Sequence, residues 1–493
     1  MKKTLLKLIC LALTVFMIFG MVGCGSEKTT SVNEDMGDFD LDFGTDSTQT
    51  DATQSGSDAG TGKDSNDNDT ASKGNANVTT TTEDLDKLSW NQLLAKMPKE
   101  LRGTTITIAS WNPAKEVTGA ESVIANFEKL TGIKVKWNVV SYDGYEDKIA
   151  ALVNSNSSPD LIRYFAPSIH RMYLCQDVKS ATGQDFKGDI WDSRVTSQYT
   201  IKGKIYGVNL KNTFVQQPKV LMYRKSVVEN VGIEDPYVIW KRGKWTWDKF
   251  IEVCKEFQEN TSSASGYDPW ITNSGIDLLD FSGIEVFKFN GSKYTNNLKS
   301  PEVYKALKQM CDLKAAGIVS SAVRDQKVFN KGTTLFMTFN SIANRKTNAN
   351  LAEVKQENDL YCVPLPTIKG RENIQNISEL EAYGIPKGAK NPGAVYYFLR
   401  YYLDANNYDA NTFFVNKQAY EVYQDAMSKS EFYIATRDEL LDVVTETTGG
   451  AAGLSDYIRL GGSAAQLQKE LDSINPIFDL AVKKGNEALS KFK

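Results

Sequence analysis

Apolar and polar residues alternate in Thr105-Ile106-Thr107-Ile108-Ala109, and apolar residues then recur at helical spacing as Val123, Ile124, Phe127 and Leu130. Gly132 stops that pattern, and alternation returns with Ile133, Val135, Trp137 and Val139. A period of two, then 3.6, then two predicts a β-α-β unit, hence parallel strands with a right-handed crossover. A second helical pattern through Ile149, Leu152 and Val153 ends in the polar stretch 154–158, and Pro159-Asp160-Leu161-Ile162-Arg163 begins a third strand. The first lobe is therefore expected to be a doubly wound α/β sheet.

Further along, Leu221-Met222-Tyr223-Arg224-Lys225 reads as a strand running into a turn. Thr246 is placed to cap a helix whose Trp247, Phe250, Ile251, Cys254 and Phe257 share one face, which assigns Trp247 to the core. Trp191, Trp240 and Trp245 have no strand-tip placement and are left as core or surface. The stretch from Asn330 to Asn340 is a Gly-marked loop followed by β-branched and apolar residues too few for a helix. It is expected to carry the chain back from a second lobe to the first.

At 493 residues, 41% of them hydrophobic, the chain exceeds what one core needs, so at least two core-bearing units are expected. Its net charge of −4 is unevenly spread. Residues 1–23 carry three lysines and no acid, residues 25–84 carry fourteen acids against three bases, and the rest is mildly basic and dispersed. That pattern gives no reason to expect nucleic acid as a partner. Lys2, Lys3 and Lys7 lead into an apolar run from Leu8 to Phe19, short for a bilayer crossing, and Gly23-Cys24 follows. This is the layout of a secretory signal at 1–23. Residues 24–84, rich in Ser, Thr, Asp and Gly, cannot bury enough apolar surface to offset ordering entropy and read as a disordered acidic tether. Asp64, Asp67 and Asp69 lack the Gly and closing Glu of a calcium loop.

Ligands of doubly wound sheets bind beyond the carboxyl ends of the strands. Here those ends lead into Trp111-Asn112, Ser141-Tyr142-Asp143 and Tyr164-Phe165. Aromatic faces suit the C–H faces of sugar rings, and neighbouring amides and carboxylates suit hydroxyls. The same aromatics also fit the buried ends of a core, and the residues alone leave both readings open. Trp270 stands in 266–273, read as a loop without periodic apolar partners, and is therefore a ligand candidate.

The landmarks Phe127-Glu128-Lys129-Leu130-Thr131-Gly132, Ser158-Pro159-Asp160-Leu161, Gly203-Lys204-Ile205-Tyr206-Gly207, Phe329 to Thr334, Tyr361 to Pro366 and Ala382 to Gly388 occur in order across about residues 103–403. In order and spacing they resemble the family 1 extracellular solute-binding proteins, to which maltose-binding protein belongs. The resemblance implies a two-lobed, type II periplasmic-binding-protein fold with a cleft between lobes, each a doubly wound sheet flanked by helices. It places lobe one at 103–212 plus 333–378 and lobe two at 213–332 plus 379–493. Gly23-Cys24 resembles the lipobox of bacterial lipoproteins, which implies acylation at Cys24 and a receptor anchored outside the cytoplasmic membrane, and the family resemblance implies that this receptor captures a sugar or oligosaccharide by hinge closure. The receptor would act as a monomer, without a cofactor, and deliver its ligand to the permease of an ABC importer. Residue by residue, Trp111 and Asn112 match the first contact loop, Tyr164 and Phe165 the aromatic after the third strand, and Trp270 a sugar-stacking position. Asn212 falls near an acidic contact absent here, Tyr383 lies at the return to lobe two, and Tyr457 replaces a late aromatic contact. With Tyr142 and Asp143 from the strand tips, these form the expected ligand set. The stretch Asn340-Ser341-Ile342-Ala343 lacks the tryptophan of maltose-binding protein, which separates the fold from maltodextrin specificity.

Catalytic signals are sparse. His170 is the only histidine and has no partner motif. Cys175, Cys254, Cys311 and Cys362 form neither a C-x-x-C pair nor zinc spacing, and read as buried thiols with a disulfide left open. Gly449-Gly450 and Gly461-Gly462 lack the Lys-Ser/Thr of a phosphate loop. A tethered glycoside hydrolase is the rival reading and needs two flanking carboxylates, for which Asp143, Asp160, Asp268 and Glu381 are nominees without a reason to pair any two. A ligand-presenting accessory of a membrane sensor kinase would use the same closed lobes.

Overall fold

The computed structural model describes residues 84–116, 119–164, 166–261, 266–272, 277–323, 326–339, 356–433, 440, 444, 457–458 and 460–492. All of them belong to one compact unit. The expected signal, Cys24 and the acidic tether up to residue 83 lie outside the described residues, as does Phe165.

The first sheet forms as the alternation predicts. Strand β1 (Thr105–Ser110) leads through helix α1 (Ala120–Thr131) to β2 (Lys134–Val139), and helix α2 (Tyr145–Asn154) leads to β3 (Leu161–Tyr164). Helix α1 ends where Gly132 takes the left-handed conformation, φ 75°, that closes a helix without a Cβ penalty. β2 and β3 both pair with β1 in parallel. Asp160 locks the entry to β3: its carboxylate accepts from the amides of Thr107 at 2.8 Å, Lys390 at 2.8 Å and Asn391 at 2.7 Å.

Helix α3 (Ile169–Leu174) follows, and the short strand β4 (Gln217–Pro218) leads into β5 (Val220–Arg224), which opens a second sheet. Helix α4 (Trp247–Thr261), β6 (Asp268–Thr272), helix α5 (Pro301–Ala315), β7 (Val319–Val323), β8 (Thr334–Phe339) and β9 (Leu360–Pro364) come next. The five strands run in the order β7-β6-β8-β5-β9. β8 is the stretch expected to return the chain to the first lobe, and here the expectation is corrected. It pairs in parallel with β6 and antiparallel with β5, at the centre of the second sheet, with all six residues buried. A strand covered on both faces reads as a continuous apolar run, so the pattern announces a central strand without saying of which sheet.

The return comes later. β10 (Ile374–Glu379) precedes β11 (Ala382–Gly384), which pairs antiparallel with β3 and completes the first sheet as β11-β3-β1-β2. Gly384 is required there, because a Cβ would stand 2.6 Å from the Tyr164 ring and 2.7 Å from the Tyr206 carbonyl. The allotment of 333–378 to lobe one and 379–493 to lobe two is thus reversed at these strands. Helix α6 (Pro392–Tyr402) then packs on the first sheet, joining Ile106, Ile108, Phe127 and Leu161 in one core through Tyr396, Phe398 and Tyr402. The second core gathers Met222, Ile271, Met337 and Cys362 with Phe413, Phe414 and Tyr423, the last from helix α7 (Lys417–Ser428).

Three chain segments meet between the two sheets. β10 pairs antiparallel with β4 and in parallel with β12 (Glu431–Tyr433), giving a three-stranded sheet. The last helix, α8 (Leu467–Leu489), stacks Phe478 on Phe287 at 5.1 Å, and beyond its end Phe492 meets Tyr173 and Tyr206 of the first lobe. No helix among the described residues is long and apolar enough to cross a membrane.

Candidate functional site at the strand tips of the first lobe

β1 delivers Trp111 and Asn112 immediately after Ser110, and the loop after β2 delivers Tyr142 and Asp143. Trp111 and Asn112 are half-buried, while Tyr142, at 57% exposure, and Asp143 face solvent. The Trp111 ring lies edge-on to Tyr142 at 6.1 Å and to Tyr145 at 5.4 Å. Tyr145 is anchored from beneath, its hydroxyl donating to the Ala109 carbonyl at 2.8 Å, and burial raises that hydroxyl above its ordinary range. Asn112 is held by its main chain, whose carbonyl accepts from the Trp137 indole nitrogen at 2.9 Å.

Beneath Trp111 lies a charge. The Arg163 guanidinium carbon is 4.5 Å from the centre of the Trp111 ring. Arg163 is buried and pairs with the equally buried Glu381: its Nε donates to Glu381 Oε2 at 2.6 Å, and its Nη2 donates to Oε1. Burial pulls the guanidinium's pKa down, but the charge and hydrogen bonds of Glu381 more than offset this, so it lies above its ordinary value and the group stays charged. Removing one partner of such a pair leaves a buried charge uncompensated, at a cost of about 3–5 kcal/mol. Beside it, Arg171 Nε is 3.0 Å from Glu146 Oε1, which also accepts from Ser168 Oγ at 2.8 Å.

The other expected contacts fall elsewhere. Tyr164 faces away from Arg163, as successive strand residues must. It is fully buried, its hydroxyl 3.0 Å from Cys175 Sγ and 3.2 Å from the Tyr206 carbonyl. Trp270 is not in a loop. It sits in β6 between β7 and β8, fully buried, among Trp247, Phe250 and Phe281. Tyr383 belongs to β11, buried against Tyr402 at 6.2 Å. An aromatic beside polar residues in the sequence suggests a rim, but each of these three is core because its strand is covered. Asn212 is exposed and donates to Asp404 Oδ1 at 3.0 Å, tying two connecting segments together. Tyr457 spends its hydroxyl on the Ser463 carbonyl at 2.6 Å.

Arg163 is the residue that pattern alone passes over. Its signal is present all the same: an arginine inside the run Leu161-Ile162-Arg163-Tyr164 must find a partner or leave the strand unstable. Of the nominated carboxylates, Glu381 is engaged by Arg163 and Asp160 by three backbone amides. Cys175, Cys254, Cys311 and Cys362 are buried free thiols, with burial pushing Cys175 up to about 12 and Cys311 up to about 11. Among the described residues no group of three or more His, Cys, Asp or Glu is placed to hold a metal ion. A recess of about 1020 Å³ opens elsewhere on the first lobe, between Leu85, Lys96, Lys179, Lys187 and Tyr397. It shares no residue with the strand-tip cluster, and its lining mixes charges of both signs.

Residues 122–420, more than half of the chain, match the family model described as bacterial extracellular solute-binding protein. The chain is 24% identical over 249 residues to the diacetylchitobiose-binding protein DasA of Streptomyces coelicolor, an alignment covering 47% of this chain and 54% of that protein. It therefore spans only about half the length of that relative. Among solved structures, the sugar-binding protein MalE of Xanthomonas citri superposes with a TM-score of 0.59 at 13% identity, over 79% of this chain and 100% of that one. The galacto-N-biose/lacto-N-biose I-binding protein of a Bifidobacterium longum ABC transporter superposes with a TM-score of 0.54 at 18% identity, over 77% and 99%. These structures share the two-lobed type II fold.

Proposed function

The chain belongs to the bacterial extracellular solute-binding proteins, and from that premise we propose that it captures a sugar or oligosaccharide between its lobes and delivers it to an ABC importer's permease. The observation that carries this reading is the Trp111 cluster. A half-buried indole, flanked by Tyr142 and Tyr145 and followed by Asn112 and Asp143, stands at the carboxyl ends of parallel strands. There the indole offers apolar surface to sugar C–H groups, and Asn112 and Asp143 offer polar groups to hydroxyls. The relatives named above are sugar binders by their own descriptions, which favours the same ligand class.

Capture proceeds by hinge closure. A ligand that touches both lobes when closed and one when open favours the closed form by its differential affinity. The three segments gathered in the β12-β10-β4 sheet are the joints such a motion needs. Acylation at Cys24 holds the receptor to the outer face of the membrane, where multiple chains give stable anchoring. The chain performs no chemistry on its ligand and works as a monomer.

Thermal melting of the full chain with diacetylchitobiose, lacto-N-biose and maltotriose, each recovered afterwards by chromatography, tests this reading. A saturable rise in melting temperature with intact sugar is expected. Sugar cleavage would establish a hydrolase, and no shift with these or a wider glycan panel would refute sugar binding.

A further inference from the structure

We propose that Arg163 is a positioning residue for ligand capture: its guanidinium sets the plane of the Trp111 indole, and Glu381 sets Arg163 from the segment that leaves the inter-lobe sheet. The inference rests on the reading of Trp111 as a ligand contact.

Stability alone does not account for this pair. A buried arginine and glutamate replaced by apolar residues of similar volume commonly leave a protein as stable or more so. What the pair adds is direction. Glu381 engages the guanidinium through Nε and Nη2, two donors on one edge, which fixes the plane of the group. The carbon of the guanidinium held in this way lies over the Trp111 ring, 4.5 Å from its centre.

Glu381 is itself clamped. It lies between β10, which ends at Glu379, and β11, which begins at Ala382. Its amide donates to Gln216 Oε1 at 3.0 Å, and its carbonyl accepts from Gln216 Nε2 at 2.9 Å and Asn209 Nδ2 at 2.7 Å. Gln216 directly precedes β4, the strand that pairs with β10 between the lobes. An unbroken series of contacts thus runs Gln216, Glu381, Arg163, Trp111. A change in the path of residues 379–382 during closure moves the Glu381 carboxylate, and with it the guanidinium beneath the indole.

Arg163→Lys tests this, because lysine keeps the charge for Glu381 but has no planar face and no fork. Three readouts are compared with the parent: melting temperature, the emission and acrylamide quenching of Trp111 (each protein minus its Trp111→Phe counterpart), and affinity. Affinity is measured for whichever of diacetylchitobiose, lacto-N-biose and maltotriose raises the parent's melting temperature most. The variant is expected to melt within about 3 °C of the parent. Its Trp111 emission should shift and quench more readily, and affinity should fall about fivefold to tenfold, the scale of a partly desolvated cation–π contact. Unchanged Trp111 emission and quenching overturns the positioning role, and these decide alone if none of the three sugars binds. Weaker binding in Trp111→Ala but not in Arg163→Lys also overturns it while leaving the site intact. Unaltered binding in Trp111→Ala overturns Trp111 as a contact, and the positioning role with it. Should Arg163→Lys fail to fold, Glu381→Asp, which draws the carboxylate back by one methylene, is read the same way.

Discussion

The indole nitrogen of Trp270 donates to Thr338 Oγ1 at 2.8 Å, joining neighbouring strands β6 and β8 inside the second lobe. Phe250 meets the same ring edge-on at 5.1 Å and Trp247 does so at 6.1 Å. This tryptophan is a brace of the sheet and has no rim on which to meet a sugar.

Trp270→Ala is therefore expected to cost about 3–5 kcal/mol of stability, the scale for emptying a buried aromatic site. The sugar affinity of the molecules that remain folded should be unchanged. Trp111→Ala should do the reverse, weakening sugar binding about tenfold, in line with the worth of one aromatic contact, with little change in melting. Urea unfolding and isothermal calorimetry on both variants check the pair, and the opposite assignment of the two effects would sink it.

Asp160 bears on the difference between a brace and a catalyst. Its two oxygens accept three backbone amides from β1 and from the segment before α6. Asp160→Ala leaves those amides without acceptors and is expected to destabilise the first lobe by about 3 kcal/mol or more, since hydrogen bonds to a charged group are worth about 1.5–3 kcal/mol each. Asp160→Asn keeps part of the acceptor capacity and should lose less. Equilibrium unfolding ranks the two, and equal losses would contradict the account.

Acid should reach the second lobe through Asp359. Burial raises its carboxyl, but the Ser226 amide at 2.8 Å, Arg224 Nε at 2.8 Å and the Arg224 charge more than offset this and hold it below the ordinary 3.8. A depressed folded pKa contributes stability above the unfolded value and loses it as pH falls through the folded one. The parent should thus lose stability below about pH 4. Asp359→Asn should be weaker by about 1 kcal/mol at neutral pH after allowance for solvent screening, and the gap between the two should narrow as the carboxyl of the parent becomes protonated in acid. Urea midpoints at pH 6, 4 and 3 measure the gap, and a gap that widens in acid would refute the assignment.

The β-α-β opening, the helix stop at Gly132 and the Trp111 and Tyr142 loops were legible because each depends on a local period or on the residues just past a strand's end, while the two-lobed class came from the resemblance of ordered landmarks to a known family. Arg163 was passed over, although a charge inside an apolar run was its signal, and its partner could not be read at all: Glu381 lies 218 residues away and only sheet pairing brings it near.

The chain by itself determined many of the strands and helices, since periodicity and glycine stops act within a few residues, but not β6, whose short run around Trp270 reads as a loop until its neighbours cover it. Tertiary structure decided which sheet each strand joins and which face of it is covered. Phe336 and Trp270 share a register, as do Tyr383 and Arg163, and both pairings are contacts between distant segments. An apolar strand satisfies its local pattern equally well in either lobe, so only the packed cores place β8 in the second, send Ala382–Gly384 back to the first, and bury Tyr164, Trp270 and Tyr383 while leaving Trp111 at the edge.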